Sequence, residues 1–326
     1  MKRHYLFFSS FNRKMSSSIP SIENYLTRYG VTCYLILGNI GLLLNMFIFI
    51  RPAHRRNSCS LYLFSMSFCS LIGLNSATVP NIYALDHSNP LVQSIVVCKL
   101  QYYFRHAFSQ LMRMFFILAC ADCSAACSKN VWIRSLSDYR HAQRIIPFVS
   151  LFWLSIAILP TVLRTIQNGE CDVPNSLPNI VYSIYILIVL GIFPIVTMTT
   201  CGIFLFKNLK QTRTRIQSIS YSMNILRRRD RNIIRMLLTT LMIYICTTLP
   251  NTFVLIYRSV VHMKDFSRID DSIVFYLTRF FLLYLNNSLS FWIFLLTSQS
   301  FRMEFKSLVI NILDFLHQSI KCNHHP

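Results

Sequence analysis

Glycine is scarce in this chain, and so are the motifs that glycine usually helps to build. The 326 residues include 7 glycines, and none of the patterns GxGxxG, GxxxxGK[ST], GxSxG or HExxH occurs. These patterns form phosphate-binding turns, nucleophile elbows and zinc sites, so the commonest enzyme signatures are missing. The sequence therefore predicts a protein that is not an enzyme, with no catalytic residues and no cofactor.

Charged residues are also few. They make up 13% of the chain, against 53% hydrophobic residues and a mean hydropathy of +0.44, yet the net charge is +20. A soluble nucleic-acid-binding protein with this net charge would carry many more charged residues, because it must also keep its own surface in water. The composition therefore indicates a membrane protein and argues against a nucleic-acid partner.

Apolar runs long enough to cross a bilayer, which takes about 20 helical residues, occur along the whole chain. The seven runs cover residues 31–50, 61–84, 98–124, 145–163, 180–206, 236–257 and 272–298. The run at 98–124 is the weakest, since five polar or charged residues interrupt it. The gaps between runs are too short for a soluble domain. The predicted fold is an all-α membrane protein, a seven-transmembrane helix bundle.

Lysine and arginine concentrate on one side of these runs. With a cytoplasmic C-terminus, the inside segments carry a net charge of +15 and the outside loops together −1. Because short cytoplasmic loops retain positive residues, this predicts the N-terminus outside and the C-terminus inside, which fits an odd number of spans. We expect an extracellular N-terminal leader at 1–30, a membrane domain at 31–298, and a cytoplasmic tail at 299–326 that contains a short amphipathic surface helix.

Most of the 11 cysteines lie inside the apolar runs, where a thiol packs as a small hydrophobe. Cys98 and Cys171 have polar, loop-like surroundings instead, and they are the natural disulfide candidates in an oxidising exterior. Two reduced thiols are the alternative. The tail segment Cys322-Asn-His-His325 lacks a complete set of metal ligands, so no metal site is expected.

Several residues stand at positions that a known family shares. Trp153 lies in the fourth run, and Pro194 and Pro250 lie in the fifth and sixth. Cys98 opens the third run, and Asp122 follows it by 24 residues. In these features the chain resembles the rhodopsin-like (class A) G-protein-coupled receptors from about residue 30 to 310, near a divergent invertebrate branch of orphan and neuropeptide receptors. The resemblance implies a seven-helix receptor domain and a disulfide between Cys98 and the second outer loop.

The resemblance also implies a switch region toward the cytoplasm, with several substitutions. Asp122 matches the acid of the family's ionic-lock triplet, whereas Cys123 stands where the family has arginine. The segment 290–294 stands in place of the Asn-Pro-x-x-Tyr motif, and Ser70 replaces the sodium-site aspartate. The residues implied in switching or G-protein contact are Asp122, Cys123, Arg231, Tyr244, Pro250, Ser290 and Phe294.

A ligand site is expected in the outer half of the bundle. Arg105 lies about two helical turns below Cys98, where amine receptors of this family hold an aspartate. A cation there argues against an amine and suits a carboxylate or a peptide C-terminus. The alternative is that Arg105 and Arg279 extend to the outer headgroups, and the acids of the outer loops leave the sign of the ligand charge open. Arg113 lies deeper, and we expect it to meet an Asn or Ser of the second or seventh helix. The candidate ligand-binding residues are Tyr102, Arg105, His106, Gln110, Tyr276 and Arg279.

The resemblance as a whole implies a multi-pass plasma-membrane receptor. It would bind an extracellular peptide or small molecule, a peptide rather than an amine, and signal to a heterotrimeric G protein. Because Cys123 replaces the family's arginine, two alternatives are a seven-helix binding or scavenging receptor that does not couple, and a subunit of a heteromeric chemoreceptor. A small transporter or channel would show internal repeats and paired intramembrane charges, and the sequence shows neither.

Overall fold

Long helices dominate the structure, a computed structural model that describes residues 24–52, 54, 57–128, 130–167, 169–173, 177–215, 223–261 and 283–323. Helix α1 joins the π-helical Leu26–Val31 to Thr32–Ile50, and α2 to α4 are Ser58–Tyr83, Ile95–Ala126 and Tyr139–Val162. Helix α5 consists of Leu177–Ile186, the π-helical Leu187–Ile192 and Phe193–Arg215. Helices α6 to α8 are Met223–Val261, Leu283–Thr297 and Gln299–Asn323. Short helical turns cover Pro90–Gln93 and Val131–Ser135.

The membrane-spanning prediction is confirmed for the described part of the chain. Six helices, α1 to α6, contain stretches long and apolar enough to cross a bilayer, and α7 contains a shorter apolar stretch, Asn287–Thr297. The predicted seventh run begins at 272, and its first residues lie outside the described ones. Large apolar side chains such as Phe148, Leu151 and Leu159 are more than half exposed, which suits lipid rather than water as the surrounding solvent. The architecture is an all-α membrane bundle.

Helix α3 occupies the middle of the bundle. It contacts α2, α4, α5 and α6, and 67% of its most apolar stretch is buried, against 22% for α4. This position explains why the weakest of the predicted spans is nevertheless a helix of 32 residues. Its polar side chains face other helices instead of lipid, so they find protein partners.

Local hydrogen bonds explain how polar residues fit into α2. The Asn57 side chain caps the helix by accepting from the backbone N–H groups of Cys59 and Ser60. Further along, the hydroxyls of Ser67 and Ser70 donate to the carbonyls four residues earlier, at 2.9 and 2.8 Å. A hydroxyl satisfied by its own helix can be buried in an apolar bundle at little cost.

Several helices are longer than the sequence predicted. Helices α5 and α6 were expected at 180–206 and 236–257, but they continue to Arg215 and back to Met223. Lysine and arginine are good helix formers. A large part of the basic inside segment therefore continues α5 and α6 into the cytoplasm. Helix α8 has 25 residues, so the expectation of a short helix was wrong. Helix α1 begins at Leu26, before the expected boundary at 31.

A small hairpin interrupts the otherwise helical fold after α4. Strand β1, Thr165–Gln167, pairs antiparallel with β2, Glu170–Asp172, so that Ile166 lies opposite Cys171. Gly169 in the turn has a φ of 78°, a left-handed conformation that glycine adopts without steric cost. The all-α prediction did not include this hairpin, which lies in the second outer loop.

The loop after α1 is joined to α8 on the cytoplasmic side. Arg51 Nη1 lies 3.1 Å from Glu304 Oε2 and donates to the Glu304 carbonyl at 3.0 Å. Phe301 of α8 packs against Phe49 and Phe294 with ring centroids 6.0 and 5.7 Å apart. The start of α8 is therefore anchored to both α1 and α7.

Candidate functional site

A polar stripe runs down the buried face of α3. Tyr102, His106, Gln110 and Arg113 are each at most 4% exposed. Their spacing of four, four and three residues places them on one side of a helix, one turn above the next. The stripe contains three of the predicted ligand residues, and it points into the bundle.

Two tyrosines of α5 meet the upper part of this stripe. The hydroxyls of Tyr102 and Tyr182 share a hydrogen bond of 2.8 Å, and His106 Nε2 shares one of 2.9 Å with the Tyr185 hydroxyl. The rings of Tyr102 and His106 lie nearly parallel, with centroids 5.7 Å apart. The outer halves of α3 and α5 are thus joined by an aromatic and hydrogen-bonded layer.

Arg164, which follows α4, inserts into this layer. Its Cζ lies 3.9 Å from the centre of the Tyr102 ring, and its Nη2 donates to the Tyr182 hydroxyl at 2.8 Å. Its Nη1 donates to the Cys171 carbonyl at 2.8 Å. One guanidinium therefore binds the second outer loop, α3 and α5 together, in the planar and stacked geometry that arginine favours.

A disulfide fixes the same loop over the bundle. Cys98 of α3 is bonded to Cys171 of β2, with a Cα–Cα distance of 5.9 Å. The pairing is the one that the resemblance implied. Cys171 also supplies the carbonyl that Arg164 binds. The disulfide therefore fixes the position of Arg164 along the axis of the bundle.

The outer site is electrically positive. Arg105 is half-buried with its Cζ 5.3 Å from the centre of the Tyr102 ring, and Arg105, Arg113 and Arg164 all act electrostatically on His106. Two ion pairs occur among the described side chains, Arg28 with Asp86 and Arg51 with Glu304, and neither includes Arg105 or Arg113. A ligand with a negative group would find complementary charge here.

Arg113 has a different partner from the one expected. We predicted an Asn or Ser from the second or seventh helix, but Arg113 Nη1 donates to Gln110 Oε1 of its own helix at 3.4 Å. The two residues are three apart on α3, so their side chains meet on the same face. Arg113 Nε and Gln110 Nε2 are buried without a hydrogen-bond partner among the described residues, so unpaired donors line the bottom of the stripe.

A small cavity lies below the stripe, between α2, α3, α6 and α7. Its volume is about 20 Å³, room for one water molecule, and its polar lining comes from Ser70, Thr240, Tyr244, Asn287 and Ser290. The oxygens Tyr244 Oη and Asn287 Oδ1 lack hydrogen-bond partners among the described residues. Two of the predicted switch residues, Tyr244 of α6 and Ser290 of α7, therefore meet around one small cavity.

Asn45 of α1 joins the edge of this group. Its Nδ2 donates to Ser290 Oγ at 3.3 Å. One turn further along α7, Phe294 is fully buried against Phe49 and Phe301. The segment that stands in place of Asn-Pro-x-x-Tyr thus makes a polar contact with α1 and aromatic contacts with both α1 and α8.

At the cytoplasmic end, Asp122 and Cys123 of α3 turn toward α2. Ser58 Oγ donates to Asp122 Oδ2 at 2.6 Å, and the sulfur of Cys123 lies 2.7 Å from that of Cys59. Both thiols are buried. The residue in the position of the family's arginine therefore contacts a neighbouring helix and carries no positive charge.

The sequence profile of the 7 transmembrane receptor (rhodopsin family) matches residues 40–290, which includes the outer site, the cavity and the cytoplasmic cluster. The chain belongs to the rhodopsin family of seven-transmembrane receptors. No protein of curated function matches it. Proteins of this family are signalling receptors, so the receptor is not an enzyme.

Some predicted site residues of the receptor fall outside what the structure describes. Tyr276 and Arg279 lie in the segment 262–282, outside the described residues. Arg231 belongs to the cytoplasmic part of α6, but its side chain is not among those described. Pro250 lies inside α6, where proline has no backbone N–H to donate to the preceding turn and so interrupts the hydrogen bonding of that helix.

The sequence reasoning missed several residues of the outer site. Arg164 was counted only as a loop charge, and Tyr182 and Tyr185 were not considered. The spacing of the two tyrosines, three residues apart near the start of an apolar run, is a signal for one polar face of α5. Nothing local marks Arg164, because its role depends on how the loop returns over the bundle.

Proposed function

We propose that this receptor resides in the plasma membrane, binds an extracellular peptide through a carboxylate or other acidic group, and signals to a heterotrimeric G protein. The peptide would bind in the outer half of the bundle, against the stripe of α3 and the tyrosines of α5. Binding would shift the bundle toward a state that is open at its cytoplasmic end.

The positive outer site is the observation that carries this proposal. Arg105 and Arg113 have no carboxylate partner among the described side chains. A ligand ammonium would be repelled, whereas a carboxylate would form charge-assisted hydrogen bonds in a partly desolvated site. The aromatic rings of Tyr102, His106 and Tyr182 suit the large apolar side chains of a peptide.

The arrangement of α3, α6 and α7 supports a transmission step. Phe116 of α3 stacks on Tyr244 of α6, with ring centroids 6.5 Å apart, beside the polar cavity. Pro250, nearer the outer side of α6, provides a hinge about which the cytoplasmic half of that helix could swing. A rotation of α3 by a bound ligand would therefore act directly on α6.

A peptide library with matched free-acid and amidated C-termini tests the ligand class. In cells that carry a G-protein activation reporter, we expect free-acid peptides to be active and their amidated forms to be weaker by about 10-fold or more, the effect of one charge-assisted hydrogen bond. The variant Arg105→Gln should remove this difference, while Arg134→Gln, on the cytoplasmic side, should keep it. Activation by amines with no preference for free-acid peptides would contradict the proposal.

The second candidate is a seven-helix receptor that binds ligand without coupling, alone or as a subunit of a heteromeric chemoreceptor. The observation that favours it is the buried Cys123 thiol, which faces Cys59 where the family presents an arginine. The reporter should be run on the wild type and on Cys123→Arg at equal surface expression. Ligand binding by both proteins with a reporter response from neither would favour the second candidate over coupling.

A further inference from the structure

Three potential metal ligands meet where the cytoplasmic ends of α2 and α3 touch. The sulfurs of Cys59 and Cys123 and a carboxylate oxygen of Asp122 all lie within 4.8 Å of one another. Both cysteines are buried, at 3% and 8% exposure. Among the described residues, this is the group of His, Cys, Asp and Glu side chains that is close enough to hold a metal ion.

The start of α2 favours negative charge at this point. Cys59 is the second residue of α2, whose N-terminus carries the positive end of the helix dipole. Thiols at helix N-termini are deprotonated more easily, and the thiolate is the form that binds metal. The hydrogen bond from Ser58 holds the Asp122 carboxylate at the same helix end.

We propose that Cys59, Asp122 and Cys123 form a binding site for a thiophilic divalent cation such as Zn²⁺, which would link the cytoplasmic ends of α2 and α3. Two thiolates and one carboxylate are ligands that Zn²⁺ accepts, and the fourth tetrahedral position would be left to water. On binding, the two thiols release their protons, so the three ligands carry three negative charges against the two positive charges of the ion.

The ligand atoms must move slightly to surround an ion. In tetrahedral coordination at about 2.3 Å per Zn–S bond, two sulfurs are about 3.8 Å apart. The sulfurs of Cys59 and Cys123 are 2.7 Å apart, so they would separate by about 1 Å, a change within reach of a side-chain rotation. The Asp122 carboxylate oxygen lies within 4.8 Å of both sulfurs, and it would have to lie about 3.5 Å from each of them in a tetrahedral site.

A disulfide between the same two cysteines is the competing outcome, and the surroundings favour the ion. The site faces the cytoplasm, where thiols are kept reduced. Oxidation also begins from a thiolate, and the negative Asp122 carboxylate beside the thiols opposes thiolate formation when no cation is present. A divalent cation turns the same carboxylate from an opposing charge into a third ligand.

Zinc titration of the purified, reduced receptor in lipid nanodiscs tests the site. We expect one Zn²⁺ per receptor, with affinity lowered at least 100-fold in Cys59→Ser and Cys123→Ser and about 10-fold in Asp122→Asn. Cys69→Ser is the matched control, because it removes a buried thiol from the same helix and should leave zinc affinity unchanged. Equal zinc affinity in the wild type and in Cys59→Ser would overturn the proposal.

A second measurement uses the wild-type protein alone, so it does not depend on the variants folding. With Zn²⁺ bound, alkylation of Cys59 and Cys123 by a maleimide, followed by mass spectrometry, should be slowed at least 10-fold. Alkylation of Cys127, which lies just beyond the end of α3 and is partly exposed, should not change. If Zn²⁺ gave no protection, the two thiols would not bind the ion. If receptor taken directly from cells contained a Cys59–Cys123 disulfide, the thiols would be oxidised in the cell. Either result would overturn the proposal.

Discussion

The hydroxyl of Tyr182 has two partners in the outer site, so the stability of the site should depend strongly on this one side chain. It accepts a hydrogen bond from Arg164 Nη2 and shares another with the Tyr102 hydroxyl, both at 2.8 Å. Both partners are buried, so neither can turn to water if the hydroxyl is lost. The contact orders the site even when no ligand is bound.

Replacing this hydroxyl should destabilise the receptor. We expect Tyr182→Phe to lower the free energy of unfolding by about 1–3 kcal/mol, the usual effect of leaving buried polar groups unsatisfied. The measurement is the thermal unfolding midpoint of the purified receptor. Tyr83→Phe is the control, since Tyr83 is 50% exposed and its hydroxyl makes no hydrogen bond to a described residue. Equal midpoints for the two variants would show that the Tyr182 contacts carry little stability.

At the scale of helices, the crossing of α1 with α2 and α7 depends on one small residue. A Cβ atom added at Gly38 would lie 2.7 Å from both Leu74 Cδ2 and Ser288 Oγ, and 3.1 Å from Ser288 Cβ. The Ser288 hydroxyl cannot easily turn away, because it donates to the Tyr34 carbonyl at 2.9 Å. The three helices can approach this closely because Gly38 has no side chain, and Gly41 does the same against Phe291 of α7.

Two glycine substitutions separate packing from helix propensity. Gly to Ala normally stabilises a helix by up to about 1 kcal/mol. We expect Gly73→Ala to be neutral or stabilising, since its added Cβ would have no neighbour closer than 3.6 Å. Gly38→Ala should instead lower the thermal unfolding midpoint, because α1 must move away from α7. A midpoint for Gly38→Ala at or above that of Gly73→Ala would contradict this account of the crossing.

At the scale of the whole molecule, the Cys98–Cys171 disulfide joins parts of the chain 73 residues apart. It connects α3 to the hairpin, and through Arg164 it also orders the contact with α5. The second outer loop is therefore bonded covalently to α3, and the hydrogen bonds of Arg164 extend this link to α5. A long closed loop is the situation in which a disulfide stabilises most.

Replacing either cysteine should destabilise the receptor equally, because each replacement removes the same disulfide. We expect Cys98→Ala, Cys171→Ala and the double variant each to lose about 2–5 kcal/mol of stability and to reach the cell surface poorly. Cys33→Ala, which removes an exposed thiol from α1, should behave as the wild type. Surface expression and unfolding midpoints of the four proteins provide the measurement. Additive losses in the double variant would mean that the two cysteines act independently.

The sequence by itself determined the membrane architecture, because hydropathy, helical period and the distribution of lysine and arginine are local properties. The seven apolar runs and the disulfide candidates follow from composition or spacing along the chain. Helix ends were less predictable, since the basic residues beyond α5 and before α6 form helix equally well in water.

Only the tertiary structure decided which side chains meet between helices. The insertion of Arg164 against Tyr102 and Tyr182, and the contact of Cys59 with Cys123, join residues 18 to 64 positions apart in the chain. Such contacts depend on the rotation and axial position of each helix, and a periodic pattern specifies which face is buried but not what lies opposite it. From the sequence, Cys123 is simply the replacement of the family's arginine. The structure places it beside Cys59 and Asp122, with which it forms the proposed metal site.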